Sequence, residues 1–160
     1  MADLRQSLET ALRGRVCLMG IGNADHGDDG FGVRLAEALA NGAPHPSVVV
    51  AGTVPERFLG PVAQAGFDHL VFLDAVDFGG APGAVVFLDA GQIESRCPQI
   101  STHKLSLGLL AKMVAADSHT AVWLLGVQSQ SLQPGAGLSA PLQTTLEVLR
   151  GLLHELWSTS

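Results

Sequence analysis

Five short apolar runs recur along the chain, each separated from the next by turn residues or by a stretch in which apolar residues return at helical spacing. This alternation constrains the fold more than any other feature. A strand that is apolar at consecutive positions must be covered on both faces, which is how parallel sheets with helices on either side read. Leu4, Leu8 and Leu12 recur at helical spacing before the first run, Val16-Cys17-Leu18-Met19, which ends in Gly20. From Phe31 to Ala40, Val33, Ala36, Leu39 and Ala40 share one face, and Asn41-Gly42 supplies a stop. Ser47 to Ala51 holds three consecutive valines, and Pro55 opens a helix through Glu56, Arg57, Phe58 and Leu59. The third run, Leu70 to Leu73, ends at Asp74. Gly79-Gly80-Ala81-Pro82-Gly83 then turns the chain into Ala84 to Leu88. So short a connection predicts that these two strands are antiparallel neighbours. A helix is expected from His103 to Val114, with Leu105, Leu109, Leu110 and Met113 on one face, and a strand from Ala121 to Val127. The last helix carries Leu142, Leu146, Leu149, Leu153 and Leu156. The expected fold is an α/β three-layer sandwich: a mostly parallel, twisted five-stranded sheet with one antiparallel edge strand and helices on both faces.

The 160 residues suit a single domain, with residues 1–14 as an N-terminal helical extension and 15–157 as the core. Mean hydropathy is +0.31, yet no stretch approaches the roughly 18 uninterrupted apolar residues of a spanning helix. The N-terminus lacks the continuous apolar region of a secretory signal. Nine Lys and Arg against fifteen Asp and Glu give a net charge of −6, and no basic run is present to neutralise phosphates. Nucleic acid is therefore a poor candidate partner, and no insertion into a membrane is expected. Cys17, in an apolar run, and Cys97, assigned to a loop, form neither a CxxC pair nor a framework. They read as two reduced thiols in a cytoplasmic protein.

In open α/β sheets, ligands bind where the loops leave the carboxyl ends of the strands. Three segments with chemistry converge there: Asp28 and Asp29 after strand one, Asp74 at the end of strand three, and His103 near a helix start. Gly20-Ile21-Gly22-Asn23 invites a dinucleotide reading, but the third glycine of GxGxxG would fall on Asp25, and carboxylates follow where a phosphate would need neutral or positive surroundings. Two adjacent acids can also be a helix start favoured by the macrodipole, Asp74 or Asp77 can cap a turn, and His103 can be a surface residue. His26, His45, His69, His119 and His154 have weaker claims. One imidazole and two carboxylates from separate loops make an open first shell for a borderline divalent cation. No HExxH or GxSxG occurs, and neither cysteine has the context of an activated thiolate.

GIGNADHGDDGFGVRLAEAL, Gly20 to Leu39, strongly resembles the opening motif of the hydrogenase maturation proteases: G-x-G-N, four variable residues, then D-[DE]-x-x-G into a helix. GTVPE (Gly52 to Glu56), FLDAVDFGGAPG (Phe72 to Gly83), STHKLSLGLL (Ser101 to Leu110) and LLGVQSQSLQPGAGLSAPL (Leu124 to Leu142) extend the resemblance in family order. It implies a carboxylate-based, aspartic-type endopeptidase that removes the C-terminal extension of a NiFe-hydrogenase large-subunit precursor. Its catalytic and metal-contacting positions fall on Asp29, Asp74 and His103, where Asp29 replaces the Glu of many members. The metal is nickel carried by the substrate, a position other divalent ions can take in vitro. GTVPE and the Asp-Asp pair are most similar to the branch serving the formate-linked hydrogenase. Asp28 is left between ordering Asp29 or a water and capping a helix. The expected partner is the precursor and the expected state is a monomer. A non-proteolytic chaperone that checks the precursor for nickel is the alternative from another class, and a small-molecule enzyme on the same sheet is a third.

Overall fold

The computed structural model describes residues 3–41, 47–100 and 106–159. The chain runs α1 (Leu4–Ala11), β1 (Val16–Ile21), a 3-10 turn (Gly27–Gly30), α2 (Phe31–Leu39), β2 (Val48–Gly52), a second 3-10 turn (Pro55–Arg57), α3 (Leu59–Gln64), β3 (His69–Val76), β4 (Val85–Asp89), α4 (Ala90–Ile100), α5 (Leu107–Asp117), β5 (Ala121–Gln128) and α6 (Ala140–Thr159). The strands form one sheet of order β2-β1-β3-β5-β4. The pairs β1/β2, β1/β3 and β3/β5 are parallel, and β4 runs antiparallel to β5 at the edge.

Side-chain alternation sorts the core into two layers. Cys17, Met19 and Ile21 of β1 and Leu70, Phe72 and Val76 of β3 pack with Leu59 and Val62 of α3, Ile93 and Cys97 of α4, and Leu110 and Val114 of α5. On the other face Val16, Leu18, Val71, Leu73 and Ala75 meet Leu35 and Ala36 of α2 and Leu142, Leu146, Leu149, Leu153 and Leu156 of α6. Leu8 and Leu12 also enter this layer, at 0% and 2% exposure, so α1 closes the core. Asn41, at φ 54, takes the left-handed conformation that ends α2.

Four local expectations are corrected. β3 and β4 are not neighbours, because β5 lies between them. β3 is buried along nearly its whole length, as a central strand with two partners must be, whereas β4 is mostly half-buried and takes the edge. Residues 77–84 are long enough to step across one intervening strand, about 10 Å. Cys97 is not in a loop but on α4, a helix whose apolar positions are sparse and whose last turn contains Pro98. Pro55 begins a 3-10 turn, and the α-helix proper starts at Leu59. Ser106 caps α5 by accepting a 3.3 Å bond from the Leu109 amide, so that helix begins at Leu107 and runs on to Asp117.

Candidate active site

The connection from β1 to β2 leaves in one direction across the sheet, and the one from β2 to β3 returns past β1. The carboxyl ends of β1 and β3 therefore flank the topological switch point, where such sheets bind ligands. The first turn of α2 sits directly on this seam: a side chain at Gly32 would collide with the carbonyl oxygens of Ile21 and Leu73. Only glycine permits that approach.

The loop between β1 and α2 is built around Asp29. Gly22, at φ 134, lies so close to the Asp29 carbonyl that a Cβ could not be accommodated. The Asn23 amide donates a 2.9 Å hydrogen bond to Asp29 Oδ2, and Asn23 Oδ1 accepts from the Asp25 amide at 2.9 Å. The amide that a dinucleotide fold would aim at a phosphate is thus spent on a carboxylate of the same loop. Asp29 is only 8% exposed.

Asp74 is fully buried. The strand does not end there as expected: β3 continues to Val76, and Asp74 pairs in register with Gly126 of β5. It shares its parity with Leu70, Phe72 and Val76, so it faces the α3/α4/α5 layer. The behaviour of Cys97 agrees: burial chiefly, and the charge of Asp74 in addition, push its thiol up to about 11. Burial alone pushes Cys17 up to about 12. Both thiols are protonated at neutral pH and unsuited to nucleophilic attack.

His103 lies outside the described residues, as does His45. The described flanks of the segment holding His103 are informative. Because β4 descends to the amino end of the sheet, α4 climbs back and α5 descends again to β5, so Ile100 and Ser106 both stand at the carboxyl end. Among the described residues no three His, Cys, Asp or Glu side chains cluster as a metal site. His26, His119 and His154 are exposed, and His69 is half-buried at the amino end.

Two buried polar residues at this end carry more than the sequence indicated. Asp28, at 0% exposure, neither caps α2 nor bonds to Asp29. Its Oδ2 accepts from the amides of Gln130 (2.8 Å) and Ser131 (3.0 Å) and from Ser139 Oγ (2.9 Å), and its Oδ1 from the Ser139 amide (2.7 Å). Burial alone would raise its pKa, but the bonds from Ser139, Gln130 and Ser131 outweigh it and hold the carboxyl below its ordinary value. Gln128, 6% exposed, accepts from the amides of Phe78 (2.9 Å) and Gly80 (3.2 Å) and donates to Asp77 Oδ1 and to the Ser129 carbonyl, both at 3.1 Å. A polar residue closing an apolar strand run, as at Asp74, was the one available signal for Gln128.

The family model for hydrogenase maturation protease (HycI) matches residues 33–154. The hydrogenase 2 maturation protease of Escherichia coli K12 is 31% identical over 140 residues, covering 83% of this chain and 84% of that protein. The hydrogenase 3 maturation protease of the same strain is 28% identical over 134 residues, 82% and 84% of the two chains. The crystal structure of a NiFe-hydrogenase maturation protease, HycI, from Thermococcus kodakarensis KOD1 superposes with a TM-score of 0.84 at 31% identity, over 95% of this chain and 99% of that one. The family model covers most of the chain and the relatives match it along most of their length, so the chain belongs to the hydrogenase maturation protease family.

Proposed function

We propose that this protein is the endopeptidase that removes the C-terminal extension from the large-subunit precursor of a NiFe-hydrogenase after nickel has been inserted, and that Asp29, Asp74 and His103 grip the nickel carried by that substrate. The observation that carries the reading is the pair of carboxylates, 8% and 0% exposed, one in the turn that follows β1 and one two residues before the end of β3, its central neighbour in the sheet. Burying two acids at one end of a sheet is unfavourable, and a divalent cation docked between them offsets that cost. The chain leading into and out of the segment of His103 stands at the same end, which supports an imidazole as third ligand. Two carboxylates and one imidazole suit a borderline ion such as nickel, and three ligands leave positions for the groups that hold the ion in the precursor. Gripping the ion orients the scissile segment and brings a Lewis acid to it.

No helix among the described residues is long and apolar enough to cross a membrane. Both cysteines are free, buried thiols, which fits the reducing cytoplasm, and we take one chain as the working unit. The reading is tested by Asp29→Asn, Asp74→Asn and His103→Ala. Each abolishes processing while circular dichroism stays that of the parent. A variant that still processes the precursor removes its residue from the grip. A wild-type protein that binds the precursor and never cuts it is a checkpoint chaperone.

A further inference from the structure

The connector from β5 to α6 is exposed at every residue from Gln130 to Gly135, yet its backbone is fastened at both ends by buried polar side chains. At its start Gln128 spends both functions of its amide on the segment 77–80 and on Ser129, and the Ser129 amide donates to the Val76 carbonyl at 3.0 Å. That segment follows Asp74 by only three residues. Along the rest of the connector, Asp28 collects its four bonds from Gln130, Ser131 and Ser139. The Asp28 amide donates to the Ser131 carbonyl and the Gly135 amide to the Asp25 carbonyl, each at 2.8 Å. One segment of chain is therefore tied on one side to the turn that bears Asp29 and on the other to the strand that bears Asp74.

We propose that residues 128–139 form a brace setting the separation and orientation of Asp29 relative to Asp74, with Asp28 and Gln128 as the positioning residues that fasten it. The proposal rests on the reading of these two acids as the nickel grip. Supporting groups of this kind act through the geometry of the ligands they hold, and their removal typically lowers metal affinity or activity by about 10–100-fold. Neither side chain need touch substrate.

Two near-isosteric variants test it. Asp28→Asn turns an amide NH2 against donors that now face an oxygen. Gln128→Glu keeps the bonds accepted from Phe78 and Gly80 but sets an oxygen against Asp77 and the Ser129 carbonyl. Thr120→Val is the control, since it removes a buried 2.7 Å bond to the Phe67 carbonyl at the opposite end of the sheet. Three quantities are measured below the melting temperature of every variant: calorimetric affinity of the protein alone for nickel chloride, processing rate on nickel-loaded precursor, and the amide NMR signals of Asn23 and Asp74. The Asn23 amide reports directly on Asp29, to which it donates. Asp28→Asn and Gln128→Glu are expected to lower nickel affinity and rate about tenfold or more, the first displacing the Asn23 signal and the second that of Asp74. Thr120→Val leaves all three at parental values. If Asp28→Asn does not fold, Ser139→Ala, which deletes only the hydroxyl bond, should move the same quantities the same way by less. Parental affinity and rate in both variants would overturn the brace, as would equal losses in Thr120→Val. A wild type that neither binds nickel nor processes precursor strikes the grip instead. The two amide signals then decide the brace by themselves, displacement upholding it and constancy ending it.

Discussion

The two ends of the sheet are held by different means. Of the five buried polar or charged side chains among the described residues, Asp28, Asp29, Asp74 and Gln128 stand at the carboxyl end and only Thr120 at the amino end. The amino end is tied instead by groups open to water: Asp68 accepts from the Arg15 amide at 2.8 Å and stands 3.7 Å from His119, while the Arg15 guanidinium lies 5.1 Å over the Phe67 ring. Such exposed contacts contribute little and cost little to lose, whereas a buried carboxylate must be fully hydrogen-bonded or it destabilises the fold. Polar burial concentrated at one end is the arrangement expected when rigidity is needed at that end more than at the other.

The largest expected effect of breaking this asymmetry is on activity. Asp29→Asn or Asp74→Asn should lower processing of the nickel-loaded precursor by a factor on the order of 100 or more, with the thermal midpoint near that of the parent. A collapse of the midpoint in Asp74→Asn would make that residue structural. Stability separates the two ends next. Asp28→Asn gives up charge-assisted bonds worth about 1.5–3 kcal/mol each before relaxation, so urea denaturation should show a loss of about 3 kcal/mol. Asp68→Asn should shift the midpoint far less. Equal losses from the two substitutions would erase the contrast.

Removing α1 tests whether stability and function separate along the chain as they do across the sheet. A chain starting near Gly14 exposes the pockets of Leu8 and Leu12, each worth about 1.5–3 kcal/mol, and forfeits the 2.7 Å ion pair of Arg5 with Glu155. Its melting temperature should fall, and its processing rate at low temperature should not. An inactive but folded product would give α1 a role toward the substrate.

The smallest effect lies at the amino end and depends on pH. His69 Nδ1 accepts a 3.0 Å bond from Trp123 Nε1, and burial lowers its pKa from the ordinary 6.5, with the nearby Asp68 opposing the shift. A histidine whose folded pKa is depressed contributes stability that is present above about pH 6.5 and is lost as pH falls through the folded value. His69→Asn keeps an acceptor for Trp123 and removes the titration. It should lose less stability than the parent between pH 7 and 5, a small difference because His69 is only partly buried. Identical pH profiles would show that His69 does not carry this dependence.

Local pattern revealed what local pattern encodes. The apolar runs at Val16, Val48, Leu70 and Ala121 and the Leu spacing from Leu142 to Leu156 became the strands and the helix expected, although β3 runs two residues past Asp74. Partnerships between distant segments were not legible. Nothing near Asp28 announces that its carboxylate binds amides more than a hundred positions away, and nothing near Ala84 announces that β5 will insert beside β3. Helix α4 escaped because its apolar stripe is thin and Pro98 reads as a stop.

The central claim is that nickel in the substrate, not a metal resident in the enzyme, brings the scissile segment to Asp29 and Asp74. The measurement is mass analysis of the large-subunit precursor, nickel-loaded and nickel-free, after incubation with metal-stripped protein. The account predicts that the loaded form loses its C-terminal extension while the nickel-free form stays intact, because without the ion nothing holds the bond in attack geometry. Equal cleavage of both forms would contradict it.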